Sequence, residues 1–132
     1  MLEDLPFVMK RLMMKSGGNS ASTLSEDVVE YILTRGIDEF ENLNVSSIAQ
    51  VFNSNRCYLS HRFKCDTKYN LHEYIQMIKI LRSLVELQEN GDITIAQIAK
   101  QMGFSDPDYF RRIFKQRVGI TPGKYRNYFK KS

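Results

Sequence analysis

Cysteine and histidine are scarce in this chain, two of each in 132 residues, and that scarcity removes several classes of function. Cys57 and Cys65 are too few for a disulfide framework and lack the partner spacing of a zinc site, which points to reduced thiols in a cytoplasmic protein. His61 and His72 suggest no pairing of a base with a nucleophile, and no glycine-rich phosphate loop or metal-ligand cluster accompanies them. The expectation is a protein that is not an enzyme and takes no metal or cofactor. Long apolar runs are missing too, since nothing approaches the roughly 20 residues that span a bilayer, and no membrane partner is expected. The opening MLEDLPFVMKRLMM puts acids ahead of a weakly apolar stretch and lacks the basic start and small-residue cleavage site of a secretory signal. No strand signal matches the helical ones in strength, so the expected fold class is all-α.

Charge of one sign is in small excess: 19 Lys and Arg against 15 Asp and Glu give a formal +4. The signs are nevertheless segregated. Glu26, Asp27, Glu30, Asp38, Glu39 and Glu41 make an acidic stretch, whereas Arg111, Arg112, Lys115, Arg117, Lys124, Arg126, Lys130 and Lys131 share the last part of the chain with no carboxylate. A basic end of this kind favours a polyanion, most simply nucleic acid. The plainer alternative is a solvated tail of surface lysines.

What the chain does contain is a duplication. Ile98 to Arg126, IAKQMGFSDPDYFRRIFKQRVGITPGKYR, repeats in looser form the segment Ile48 to Tyr74, IAQVFNSNRCYLSHRFKCDTKYNLHEY. Ile48-Ala49 pairs with Ile98-Ala99, Tyr58-Leu59 with Tyr109-Phe110, Phe63-Lys64 with Phe114-Lys115 and Tyr74 with Tyr125, with one extra residue at the second turn. Each copy alone is too small for a large core, so a two-headed binder is the leading idea. Residues 1–25 read as an extension, with an amphipathic helix over Leu5 to Met14 and a flexible joint SGGNSASTLS. Residues 26–132 make the folded part: a first subdomain over about 26–70, a connecting helix over about 71–89 and a second subdomain over about 90–132.

Local signals place the helices. Ser25 is positioned to cap the first, with Val28, Val29, Ile32 and Leu33 on its buried stripe and Gly36 ending it in a left-handed cap. Asn44 is positioned to cap the next, in which Val45, Ile48, Ala49 and Phe52 face inward. Asn53 suits a left-handed turn, and Asn55 caps a helix from Arg56 to about Lys64. Helix, tight turn and helix, with Ala49 small enough for close approach, is the pattern of a helix-turn-helix. The second copy repeats it with Ile95, Ile98, Ala99 and Met102 inward, Gly103 in the turn, Ser105 or Asp106 as cap and Pro107 at the first helical position. Between the copies, Leu71, Ile75, Ile78, Leu81, Leu84 and Val85 recur at helical spacing from the cap Asn70 to the stop Asn90-Gly91. At about 1.5 Å per residue this helix is on the order of 27 Å long, enough to hold two heads about one DNA turn apart. Thr121 caps a last helix opened by Pro122, with Tyr125, Tyr128 and Phe129 in its packing. The aromatics Tyr58, Phe63, Tyr74, Tyr109, Phe110, Phe114 and Tyr125 recur at matching positions and read as core, not as a stacking platform for single strands.

The run from Ile95 to Arg126, with its pattern IAxxxGFSDxxYFxRxFKxxxGxTPxxYR, resembles the signature of the AraC/XylS family of bacterial transcription regulators. The resemblance covers roughly residues 26–130. It implies a DNA-binding unit of about seven helices, in which two helix-turn-helix subdomains joined by a long central helix place recognition helices in successive major grooves of double-stranded DNA. It also implies a regulator that usually activates by contacting RNA polymerase. Lys68 departs from the pattern, standing where the family commonly has Gly; a retained left-handed turn there carries a strain of order 1 kcal/mol. Lys79 stands where the family often has Arg, and a point charge cannot make the same planar contacts. Most members also carry a sensor domain, for which this length has no room. The chain is then either a short stand-alone regulator or the DNA-binding end of a larger sensor-regulator.

A helix entering a major groove offers its N-terminal half and one exposed face to base edges. In the second copy that face holds Asp108, Arg111 and Arg112, because Phe110, Ile113 and Phe114 are needed inward. Arg112 is the leading candidate for reading a base, since a guanidinium makes paired bonds to guanine O6 and N7 worth about 1–3 kcal/mol in discrimination. Arg111 is its alternate, and a phosphate contact without sequence preference is the competing role for either. In the first copy the exposed positions are Arg56, Cys57, Ser60 and His61. The resemblance places Cys57, Ser60 and His61 where base contacts commonly arise, but they are short or neutral, so the first head is expected to discriminate less. Cys57 suits a thymine methyl, and His61 has an ordinary solvated role as its alternative. Arg62, Lys64, Lys68, Lys115, Arg117 and Lys124 are candidates for phosphate contacts, which make binding steeply salt-dependent. The competing functions are a helical protein-interaction module whose basic end meets an acidic partner, and a non-specific DNA-binding fragment of a larger sensor-regulator. Two similarly spaced turns favour DNA over a protein partner.

Overall fold

The computed structural model describes residues 23–130; the helix expected over Leu5 to Met14 lies outside them. The described residues form seven α-helices, one 3₁₀ helix and no strand. In chain order these are α1 (Leu24–Leu33), the 3₁₀ helix (Ile37–Asn42), α2 (Val45–Val51), α3 (Arg56–Thr67), α4 (Leu71–Glu89), α5 (Ile95–Gln101), α6 (Pro107–Val118) and α7 (Pro122–Lys130). They group into two compact units. The first holds the described residues up to Arg35 together with Leu43–Gln76, and the second holds Gly36–Asn42 together with the described residues from Met77 onward. The 3₁₀ helix therefore belongs with the second unit although the chain reaches it between helices of the first. It packs against α5 and buries Phe40.

In the first unit, α1 and α2 both pack on α3. Val28, Val29, Ile32, Leu43, Ile48, Ala49, Leu59 and Phe63 form its core, closed by Leu71, Tyr74 and Ile75 from the start of α4. The cap of α1 is Thr23 and not Ser25. Thr23 Oγ1 accepts from the Glu26 N–H at 3.2 Å, and the Glu26 carboxylate accepts from the Thr23 N–H at 3.2 Å. This reciprocal box needs an acidic side chain three positions past the cap, and a cap at Ser25 would find Val28 there. Ser25 is buried instead. Its hydroxyl donates to Asp66 Oδ2 at 2.7 Å, and that same oxygen pairs with Arg62 Nε at 3.3 Å. Gly36 is likewise not a left-handed cap: α1 ends at Thr34, and the Gly36 carbonyl accepts from the Glu39 N–H at the start of the 3₁₀ helix.

The two interhelical turns match bond for bond. In the first, the Ser54 N–H reaches back to the Ala49 carbonyl at 2.9 Å and the Asn53 N–H to that of Gln50 at 3.2 Å. In the second, the Phe104 N–H reaches Ala99 and the Gly103 N–H reaches Lys100, both at 2.9 Å. This is the double closure of a Schellman motif, which demands a left-handed residue, and Asn53 (φ 52°) and Gly103 (φ 81°) supply it. Asn55 and Asp106 then cap α3 and α6, the latter with Pro107 in its first turn. Among the expected caps, Asn44, Asn70 and Thr121 also take their places, accepting from Ser47, Glu73 and Lys124.

The long helix α4 is unbroken and buries the first half of the expected stripe, Leu71, Ile75 and Ile78, but not the second half. Met77, Ile78, Lys79 and Ile80 are all buried in succession, followed by Ser83 and Leu87, while Leu81 and Leu84 are half-buried and Val85 is 41% exposed. A helix covered on several sides has no single apolar face, so a one-stripe reading misplaces its second half. In the second unit, ring contacts run from Phe104 through Phe110 and Phe114 to Tyr125 and Phe129, with centroids 5.0–6.0 Å apart. Two aromatics expected in packing, Tyr58 and Tyr128, are instead exposed, and Phe129 packs on Tyr125 while remaining 41% exposed.

The glycines of the second unit differ in what holds them. A Cβ on Gly103 would lie 2.4 Å from the Glu41 carbonyl oxygen, whereas one on Gly119 (φ 101°) would meet nothing within 4 Å. Urea unfolding should therefore rank Gly103→Ala as clearly more destabilising than Gly119→Ala, whose cost is the left-handed conformation alone, about 1–2 kcal/mol. Lys68 ends α3 in the same left-handed state, φ 71°. Lys68→Gly should raise stability by up to about 1 kcal/mol in the same experiment.

Candidate nucleic-acid interface

The faces of α3 and α6 opposite the two cores carry most of the residues that the sequence singles out. Leu59 and Phe63 point into the first core, leaving Arg56, Cys57, His61, Arg62 and Lys64 exposed and Ser60 half-buried. Phe110 and Phe114 do the same for α6, leaving Asp108, Arg111, Arg112 and Lys115 exposed and Arg117 half-buried. Lys68, just after α3, and Lys124, on α7, are exposed as well. Each unit therefore gathers its own candidates along one helix.

Several of these side chains are engaged in local contacts. Arg111 Nη1 lies 2.8 Å from Asp108 Oδ1 one turn back; both are well exposed, so the pair is worth little and exchanges readily for another acceptor. The Arg112 guanidinium sits over the Tyr109 ring at 5.4 Å, which holds its stem without occupying its donors with a carboxylate. Arg62 is committed through Nε to the Asp66 and Ser25 network, and Lys68 Nζ donates to the Cys65 carbonyl at 3.4 Å. His61 Nε2 lies 3.5 Å from Cys65 Sγ one turn on.

Each unit also has an open groove, beside α3 in the first and at the start of α6 in the second. In the first, Arg56, Cys57 and Ser60 of α3 face Asn44, Val45 and Ser46 at the start of α2 and Asn70 and His72 at the start of α4. In the second, Ser105 and Pro107 face Lys100, Gly103, Glu41 and Asn42. Asn70 and His72 were not expected at a site; sequence spacing gives no sign that the N-terminus of α4 returns beside α3. Among the described residues no group of His, Cys, Asp or Glu could hold a metal ion, and no helix is long and apolar enough to cross a membrane.

A family model described as a helix-turn-helix domain matches residues 48–128, the stretch that holds both turns and both exposed helices. The chain belongs to the AraC/XylS family of transcription regulators. This AraC/XylS chain is 38% identical over 85 residues to the Msm operon regulatory protein of Streptococcus mutans, covering 64% of the chain and 30% of that protein. It is 30% identical over 106 residues to the probable transcription factor PqrA of Proteus vulgaris, covering 80% of the chain and 85% of that protein. Its fold matches the C-terminal domain of the two-component response regulator yesN from Fusobacterium nucleatum with a TM-score of 0.67 and 26% identity, over 80% of this chain and 99% of that one. The chain spans less than a third of several other curated relatives, among them a protein of which it covers 6%. The family is one of DNA-binding regulators and not of enzymes.

Lys79, the family-atypical residue of α4, lies beside the second turn. It is only 7% exposed, and its ammonium lies 3.0 Å from the position that a Gly103 Cβ would occupy, beside the Glu41 carbonyl. Burial pushes its pKa down from 10.5 to about 8. The unfolded chain therefore holds this proton more tightly, so the burial cost is present in full below pH 8 and is relieved as pH rises towards 10.5. Between pH 7.5 and 9.5 the stability of the wild type should rise by about 2 kcal/mol relative to Lys79→Met, measured by urea unfolding of both at each pH. A constant difference between the two proteins would show that Lys79 keeps an ordinary proton affinity.

Proposed function

We propose that this chain is a sequence-specific reader of double-stranded DNA that regulates transcription by placing α3 and α6 in successive major grooves. The observation that carries the reading is the bond-for-bond repetition of the helix-turn-helix closure at Ala49–Ser54 and Ala99–Phe104, each followed by a capped helix with a solvent-facing row of candidates. A repeated turn of this kind sets the angle at which a recognition helix leaves its scaffold, which is the property groove entry requires. The unbroken α4 between the two turns favours simultaneous engagement, because a stiff connection raises the effective concentration of the second head once the first has bound.

In this reading Arg112 contacts a guanine through paired hydrogen bonds, with Arg111 and Asp108 beside it, and Arg56, Cys57, Ser60 and His61 face the other element. Lys64, Lys68, Lys115, Arg117, Lys124 and the free part of the Arg62 guanidinium meet phosphates. The division into an extension over residues 1–25 and two subdomains about a connecting helix, activation, and contact with RNA polymerase are parts of the same proposal. A location in the cytoplasm and attachment to a sensor domain in a longer regulator are further parts, the last consistent with the small share of several relatives that this chain covers.

Binding to a duplex recovered by selection and to a random duplex of equal length separates the roles. Arg112→Ala should weaken the selected duplex by about 1–3 kcal/mol more than the random one, while Lys115→Ala weakens both alike and lowers the salt dependence. Equal losses on the two duplexes for Arg112→Ala would remove it from base reading.

A further inference from the structure

The two recognition helices present different chemistry at equivalent positions, and the difference centres on Tyr58. Asp108, Tyr109, Arg112 and Gln116 of α6 have as their counterparts on α3 Cys57, Tyr58, His61 and Cys65. In the second unit Tyr109 is half-buried, because Phe104 packs on it at 5.9 Å and Arg112 lies over its face. The residue corresponding to Phe104 in the first turn is Ser54, too short to cover a ring, and the residue corresponding to Arg112 is His61, which turns along its helix to Cys65. Tyr58 is accordingly 53% exposed, and among the described residues no other ring or guanidinium stacks on it.

Its place on the helix is held firmly. The Tyr58 N–H donates to Asn55 Oδ1 at 2.7 Å as part of the α3 cap, which fixes the residue in the first turn, the part of a recognition helix that meets base edges. Cys57 is exposed beside it. Keeping a large ring in water costs free energy that contact with another apolar surface recovers, and the only apolar group on a base edge in the major groove is the thymine 5-methyl.

We propose that α3 recognises its DNA element by apolar contact with thymine 5-methyl groups, made by the exposed Tyr58 ring together with the Cys57 thiol. The two elements of the site are then chemically unlike: thymine-rich where α3 binds, guanine-containing where α6 binds. This rests on the two-groove reading above and adds a specificity-determining residue, Tyr58, to it.

Removal of the methyl groups tests the proposal on the unaltered protein. The full chain is used to select from two random duplex pools, one synthesised with thymidine and one with deoxyuridine in its place. The thymidine pool should yield two elements, one enriched in thymine. In the deoxyuridine pool enrichment at that element should fall about fourfold per contacted methyl, with guanine enrichment at the other element unchanged. Tyr58→Ala should lower thymine enrichment in the thymidine pool in the same way, and Tyr58→Phe, which keeps the ring, should preserve it. Equal enrichment of uracil and thymine overturns the methyl contact while leaving the two-element reading intact, and so does loss of the preference in Tyr58→Phe, which would assign recognition to the hydroxyl. Recovery of no enriched element in either pool overturns both.

Discussion

Everything displayed by this molecule depends on how closely the two helices of each helix-turn-helix approach. Ala49 and Ala99, both buried, offer the carbonyls to which each turn returns, and a left-handed residue four positions later turns the chain while two backbone hydrogen bonds close the corner. A larger side chain at either alanine, or a turn residue unable to adopt positive φ, would alter the direction in which α3 or α6 departs. That direction decides which side chains of those helices reach solvent. In the second unit the constraint is tighter, because Gly103 lies against the Glu41 carbonyl and the buried Lys79 ammonium, tying the 3₁₀ helix to the turn. The first turn uses Asn53, whose short polar side chain tolerates the left-handed region.

A shared scaffold with different outward faces gives each head its own character. Around α6 the interior is a continuous run of rings, and Tyr109 is part of it, so the polar and charged side chains of the outer face stand on a packed aromatic base. Around α3 the core of Leu59, Phe63 and Tyr74 is joined by a polar link, in which Ser25, Asp66 and Arg62 tie α1 to α3 by a hydrogen bond and an ion pair. One guanidinium of the first head is thereby partly spent on holding the fold. Such a division between support and display follows from the helix itself, since one surface cannot serve both.

Features written in neighbouring residues were legible in the sequence, and features set by distant packing were less so. The caps Asn44, Asn55, Asn70, Asp106 and Thr121 and the left-handed residues Asn53 and Gly103 follow from local backbone chemistry, which operates whatever the tertiary surroundings. Ser25 was misread because it has the same hydroxyl as a cap, and only the approach of Asp66, far along the chain, assigns it to the interior. The 3₁₀ helix carries a single buried anchor, Phe40, too little periodicity to register as an element. On α4 the stripe counted from Leu71 holds through Ile75 and Ile78, but burial spreads around the helix at Met77–Ile80 and the stripe does not continue past it. Tyr58 illustrates the limit of the repeat itself: its counterpart Tyr109 is covered by Phe104, and the substitution by Ser54 that uncovers Tyr58 was visible but has no meaning until the turn brings the two positions together. The outer faces of α3 and α6 emerged where alternation of buried and exposed positions put them.

The most direct test of a two-headed reader is the pattern of backbone protection on bound DNA. A duplex selected from a random pool at about physiological salt, where non-specific binding is not exaggerated, would be cleaved by hydroxyl radical with and without the full chain. The account predicts two protected windows on one face of the duplex, separated by about 10 base pairs, one helical turn. A single protected window, or uniform protection along the duplex, would contradict it.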